Sequence, residues 1–145
     1  MDIDPTLDYR QHPECYPIGR GERGVLTVEP YKSELLPLWR FKSPEIAERS
    51  AADIVARYDQ YKASNDFVGM DMARKFLQMG YTRSRRYARH KNGRKYDPET
   101  GEERPLEAED PIKAASAEIF LRALQQVKAD PDYQRLKKQH QHSRR

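Results

Sequence analysis

Apolar residues recur at three- and four-residue spacing in several separate stretches of the chain. Ala47, Ala51, Ile54, Tyr58 and Tyr61 form one stripe, which predicts an amphipathic helix of about five turns. Ser43 stands where a cap is needed, and Pro44 occupies the first helical position, where its missing N–H costs nothing. Ser64-Asn65-Asp66 interrupts the pattern, and Asp66 is placed to cap a second helix. Its inner face reads as Gly69, Met72, Ala73, Phe76 and Met79, and its outer face as Asp71, Arg74, Lys75 and Gln78. Gly80 reads as a C-terminal stop, and Thr82 as the cap of a short third helix to about His90. Asp110-Pro111 opens a fourth helix with Ile112, Ala115, Ile119, Ala123 and Val127 inward. Asp130-Pro131 opens a fifth, with Tyr133 and Leu136, which is expected to fray in the polar end that begins at Lys137.

The first forty residues carry no such period. His12-Pro13 and Tyr16-Pro17 favour extended and turn conformations. Residues 19–24 read as a loop, Val25-Leu-Thr-Val28 as a short strand, and Glu29-Pro30 as its end. Residues 35–41 are the densest apolar stretch. Pro37 argues against a central strand there, so the segment reads as extended, with Trp39 and Phe41 entering the core. Asn92-Gly93 is a turn signal, and residues 97–110 read as an exposed acidic loop. The pattern predicts a mainly α domain of four to five helices with a short N-terminal extended or β element. The expected limits are a single domain over residues 1–140 and a basic tail at 141–145.

Composition narrows the class. Apolar content is lean at 37% beside 34% charged residues, but Trp39, nine tyrosines and four phenylalanines supply bulky core material, which argues against wholesale disorder. Cys15 is the only cysteine, so no intrachain disulfide can form. Residues 1–8 are acidic and lack the basic and apolar regions of a secretory signal, and no window is long and apolar enough to span a bilayer. A cytoplasmic protein with no membrane partner is the expectation.

Charge changes the picture most. Residues 69–96 hold nine bases, Arg74, Lys75, Arg83, Arg85, Arg86, Arg89, Lys91, Arg94 and Lys95, against Asp71 alone, while the chain on either side is slightly acidic. Such concentration suits a polyanion. Two short helices joined at Gly80 and Tyr81 would resemble a helix-turn-helix in outline, although Phe76 stands where that motif tends to have a small residue. Arg83, Arg85, Arg86, Arg89, Arg94 and Lys95 would neutralise phosphates, Arg74 and Lys75 would sit at the margin, and Tyr87 and Tyr96 would stack on bases. The competing reading is a solvated basic face, or arginines paired with Glu102, Glu103, Glu107 and Glu109.

Other motifs carry less. Gly19-Arg20-Gly21-Glu22-Arg23-Gly24 has a phosphate-loop spacing, but Pro17 precedes it and no helix follows it. A tight turn is the simpler reading, with Arg20 and Arg23 available to extend a phosphate-binding surface. Tyr58 and Lys62 have a dehydrogenase-like spacing, but Tyr58 lies on the apolar stripe. His12 with Cys15, and His140 with His142, are too few for a metal site. No catalytic residue, cofactor or metal is expected.

Two runs are specific: Gly24-Val-Leu-Thr-Val-Glu-Pro-Tyr-Lys-Ser-Glu-Leu-Leu-Pro-Leu-Trp-Arg-Phe41, and Asp66-Phe-Val-Gly-Met-Asp-Met-Ala-Arg-Lys-Phe-Leu-Gln-Met-Gly-Tyr-Thr-Arg-Ser-Arg-Arg-Tyr-Ala-Arg89. With them the chain resembles the domain of unknown function 4385 family from about Tyr9 to His140. The resemblance implies a stand-alone cytoplasmic domain that includes residues 93–96, and it brings no catalytic residues with it. The expected function is a non-enzymatic module that binds RNA or DNA. The alternatives are an adaptor docking on an acidic protein and a small enzyme acting on a phosphorylated or nucleotide ligand.

Overall fold

One helix organises the molecule. In the computed structural model, which describes residues 3–19, 21–89, 96–102 and 109–143, α1 (Tyr31–Leu35), α2 (Pro44–Ala63), α4 (Pro111–Lys128) and α5 (Pro131–Ser143) all contact α3 (Phe67–Arg89). The fold is mainly α. Every residue of α3 from Phe67 to Leu77 is buried, as expected of a helix enclosed on all sides.

Local signals set most helix starts. Ser43 Oγ accepts from the Ile46 amide at 3.3 Å with Pro44 in the first turn. Asp66 Oδ1 accepts from the Gly69 amide at 3.1 Å, and Asp110 Oδ1 from those of Ile112 and Lys113 at 2.9 and 3.3 Å. Asp130 Oδ1 accepts from the Asp132 amide at 3.0 Å. Asn65, at φ 54°, reverses the chain between α2 and α3.

Gly80 does not end a helix. α3 runs through it to Arg89 without a break, so the helix–glycine–helix unit expected from the sequence is one rod of about 34 Å. The reason lies in packing. A Cβ on Gly80 would stand 2.5 Å from Cδ1 of Phe120, and one on Gly69 would overlap the ring of Tyr61. The two glycines therefore mark where α4 and α2 bring aromatic rings onto the α3 backbone. Gly80→Ala, which in an exposed helix stabilises by about 1 kcal/mol, is expected here to destabilise by about 1–3 kcal/mol. A lower urea midpoint followed by circular dichroism is the readout, and an unchanged or higher midpoint contradicts the close approach.

The N-terminal third is irregular, as expected, but it differs in detail. Among the described residues the extended element is an isolated parallel bridge between Asp8 and Glu29. Residues 25–28 form turns, with Val25 and Val28 buried and Leu26 exposed. Residues 31–38 are α1 followed by a 3-10 turn, Leu36–Leu38, where Pro37 is tolerated at the start of the turn. The extended path begins at Trp39, which packs with Phe41 against the core. Ser50 Oγ fixes it by donating to the Leu38 carbonyl and accepting from the Arg40 amide.

Two helix faces differ from the periodicity. α4 buries Ser116, Ala117, Phe120, Leu124 and Val127, leaving Ile112 exposed, because it lies against both α3 and α2 rather than one neighbour. α5 stays helical to Ser143 rather than fraying at Lys137. His140 holds it, with Nε2 2.7 Å from the Tyr16 carbonyl oxygen and its ring 5.3 Å from that of Phe67.

Candidate functional site

The basic stretch is divided between the interior and the surface. Arg74 and Lys75, expected on an outer face, are buried. Their spacing from Asp71, three and four residues along one helix, sets all three on the same side of α3. Asp71 is fully buried and is the hub. It accepts from Arg74 Nε and Nη2 at 3.1 and 2.9 Å, from the Tyr133 hydroxyl at 2.6 Å and from the Tyr16 hydroxyl at 2.5 Å. Lys75 Nζ lies 3.9 Å from Asp71 Oδ2 and 4.8 Å from the centre of the Tyr16 ring. Burial drives the Asp71 carboxyl upward, but Arg74 and Lys75 with the two tyrosine hydroxyls outweigh it and hold it below its ordinary value. Burial lowers the Lys75 ammonium to about 8, with Asp71 opposing that shift.

The glycine-rich loop completes this cluster. Gly21 and Gly24, at φ 65° and 84°, turn the backbone in the left-handed region. The turn aims carbonyls inward: Gly21 accepts from Arg74 Nη1 at 2.6 Å and Arg23 from Lys75 Nζ at 2.5 Å. The Glu22 carboxylate accepts from Thr82 Oγ1 at 2.9 Å. The loop thus solvates buried cations with oxygen. The Arg23 side chain is exposed, and Arg20 lies outside the described residues.

The surface half begins after Gly80. Ser84 and Ala88 are buried and set the inner face, so Arg83, Arg85, Arg86 and Arg89 are spread over the outer arc. Arg85 is not free: its Nη1 lies 2.8 Å from Oε1 of Glu109, as the competing reading expects for one glutamate of the acidic loop. Glu103 and Glu107 lie outside the described residues, as do Arg94 and Lys95. Arg83, Arg86 and Arg89 have no ion pair among the described residues. Cations at this end also complement the helix dipole.

Tyr87, one turn along α3 from Arg83, opens onto a groove of about 400 Å³ lined by Arg40, Phe41, Lys42, Ile46, Tyr87 and Lys113. The Tyr87 and Phe41 rings are tilted together 6.0 Å apart. Lys113 Nζ lies 5.9 Å from each ring centre and donates to the Lys42 carbonyl at 3.0 Å. Tyr87 is 36% exposed. The groove has aromatic walls, cations on its rim and no carboxylate among the described residues that line it. Tyr96 is also exposed.

The remaining motifs are structural. The Tyr58 hydroxyl and Lys62 Nζ both donate to Asp130 Oδ2, at 2.7 and 3.0 Å, which ties α2 to the start of α5. Glu34 accepts a two-bond grip from Arg10 and a third bond from Tyr61, with Arg57 3.2 Å away. Arg10, chiefly, holds its carboxyl at about 2. No group of three metal-binding side chains occurs among the described residues. The cleft beside Gly19 and Gly21 opens toward α5 and Lys128, not toward the arginines after Gly80.

Sequence reasoning missed Asp71 as the hub and Arg40, Lys42 and Lys113 as the groove's rim. A signal for the first was present: Met70, Met72, Ala73, Phe76 and Leu77 surround the three charges with apolar residues in every direction of the helix.

No helix of the described residues is long and apolar enough to cross a membrane. No curated protein and no solved structure matches the chain. A family match does exist, and it runs over residues 2–143, across both specific runs and residues 93–96. The chain belongs to the family described as Domain of unknown function (DUF4385).

Proposed function

We propose that this protein is a non-enzymatic module that binds single-stranded RNA or DNA along the C-terminal half of α3. Arg83, Arg86 and Arg89 grip phosphates, with Arg40, Lys42 and Lys113 on the groove's rim, and a base stacks on the open face of Tyr87. One observation carries this reading: three guanidiniums without a carboxylate partner among the described residues share the outer arc of α3 with Tyr87, which lines an aromatic groove whose charged lining residues, among those described, are all cations. Guanidiniums fork onto phosphate oxygens, and a stacking ring accepts a base of any identity. An unbroken α3 supplies no turn-mounted recognition helix. A strand with unstacked bases therefore suits the groove better than a duplex. Arg94, Lys95 and Tyr96 come a few residues later in the chain and are expected to take part in binding in this reading. A cytoplasmic location goes with it.

Tyr87→Ala tests the stacking. Base–aromatic stacking contributes about 1–3 kcal/mol, so affinity for a labelled single-stranded oligonucleotide should fall roughly ten- to a hundredfold by fluorescence anisotropy, with duplex binding little changed. Equal losses for strand and duplex remove the stacking role.

The Arg85–Glu109 pair favours a second reading, in which the same arc receives glutamates of an acidic protein. Capture of a protein partner that survives nuclease treatment supports it over nucleic acid.

A further inference from the structure

A second basic site lies at the other half of α3. The cleft beside Gly19 and Gly21 measures about 740 Å³, within the range of pockets that hold small ligands, and its lining includes Arg74, Gln78, Lys128, Lys137 and Lys138, with no carboxylate among the described residues. Four cations converge there from three elements, α3, the end of α4 and the last turns of α5. Arg74 is the wall that reaches the core. Behind it, Asp71 is the one buried anion among the described residues, facing two buried cations, Arg74 and Lys75. Lys75 lies on the far side of Asp71 from the cleft lining and donates to the Arg23 carbonyl. Of this cluster Arg74 lines the cleft, with its guanidinium held by Asp71, the Gly21 carbonyl and Gln78.

Hydrogen bonding gives the site a direction. Gln78 Oε1 accepts from Arg74 Nη1 at 2.9 Å, which turns the Gln78 amide nitrogen away from Arg74. That nitrogen stands near Gly21, 3.7 Å from where a Cβ would be. The Gln78 amide and three lysine side chains thus line a space with no carboxylate among the described residues. A phosphate group carries about −1.5 to −2 near neutral pH, and a chain of such groups suits the three lysines, Lys128, Lys137 and Lys138, that line the space.

We infer that the cleft between the glycine-rich loop, Lys128 and the last turns of α5 binds the oligophosphate group of a small ligand, either inorganic polyphosphate or a nucleotide tail. Arg74 and Arg86 are twelve residues apart on one helix, roughly 18 Å, so this site is separate from the proposed strand-binding surface.

Isothermal titration of the full chain with inorganic tripolyphosphate, then with ATP, tests it at low salt. The expected result is one site per chain, weakened at least tenfold in the Lys137→Glu/Lys138→Glu variant and unchanged in Arg83→Ala/Arg86→Ala/Arg89→Ala. Both lysines lie near the exposed end of α5, and circular dichroism checks that the first variant folds. Similar affinity for the two ligands identifies the phosphate chain as the recognised part, and tighter ATP binding identifies a nucleotide. The inference is overturned if neither ligand binds, or if tripolyphosphate binding survives the lysine reversal and disappears with the arginines. Oligonucleotide binding is read separately with the α3 variants, so either proposal can fail alone.

Discussion

Replacing Asp71 with alanine is expected to cost the fold about 3–5 kcal/mol, the usual penalty for removing one partner of a buried ion pair. Arg74 and Lys75 would remain buried without a counter-charge, and the Tyr16 and Tyr133 hydroxyls would lose their acceptor. Each stranded hydroxyl adds about 1–3 kcal/mol if it stays dry. Domains of this kind have about 5–15 kcal/mol in all, so the variant should be largely unfolded or close to it. Urea denaturation measures this, with Tyr133→Phe as the mild control at about 1 kcal/mol. Lys75→Met provides the contrast. It removes the buried Lys75 ammonium and keeps an unbranched apolar chain, so it should fold and leave oligonucleotide binding unchanged. A stable Asp71→Ala protein would mean that the charged cluster is open to water.

The other large effect is expected at the surface. Arg83→Ala/Arg86→Ala/Arg89→Ala should weaken single-strand binding on the order of a thousandfold, because each charge-assisted hydrogen bond to phosphate contributes about 1.5 kcal/mol. Helix content should hold, because none of the three has an ion pair among the described residues and the inner face of this stretch is Ser84 and Ala88. Adding Arg85→Ala should change binding little, since Glu109 already neutralises that side chain. If the triple variant melts, the arginines hold the fold together and the surface reading is lost.

What the sequence made legible is what is decided locally. Ser43-Pro44, Asp66, Asp110-Pro111 and Asp130-Pro131 mark helix starts because a cap and the amides it serves are neighbours in the chain. Gly80 was misleading because the same residue serves two purposes. A glycine ends a helix when its backbone must turn left, and it continues one when another element needs the space of its missing Cβ. Phe120, forty residues away, decides between them. Arg74 and Lys75 failed for a related reason. Helical spacing sorts polar from apolar positions only when one side of the helix faces water, whereas α3 is covered on its polar side by Tyr16, the 19–24 loop and Tyr133. Within the candidate site, Arg83, Arg86, Arg89 and Tyr87 were legible as charge and ring on one short stretch. Phe41 and Lys113 were not part of it, since they reach Tyr87 from distant elements.

Salt dependence of strand binding is the most direct measurement. With six cations engaged, Arg83, Arg86, Arg89, Arg40, Lys42 and Lys113, counterion release predicts a slope of log affinity against log salt of about −4 for a single strand, falling to about −2 in the triple arginine variant. A slope near zero in the wild-type protein, or one that the three substitutions leave unchanged, would contradict the claim that these guanidiniums are held for phosphate.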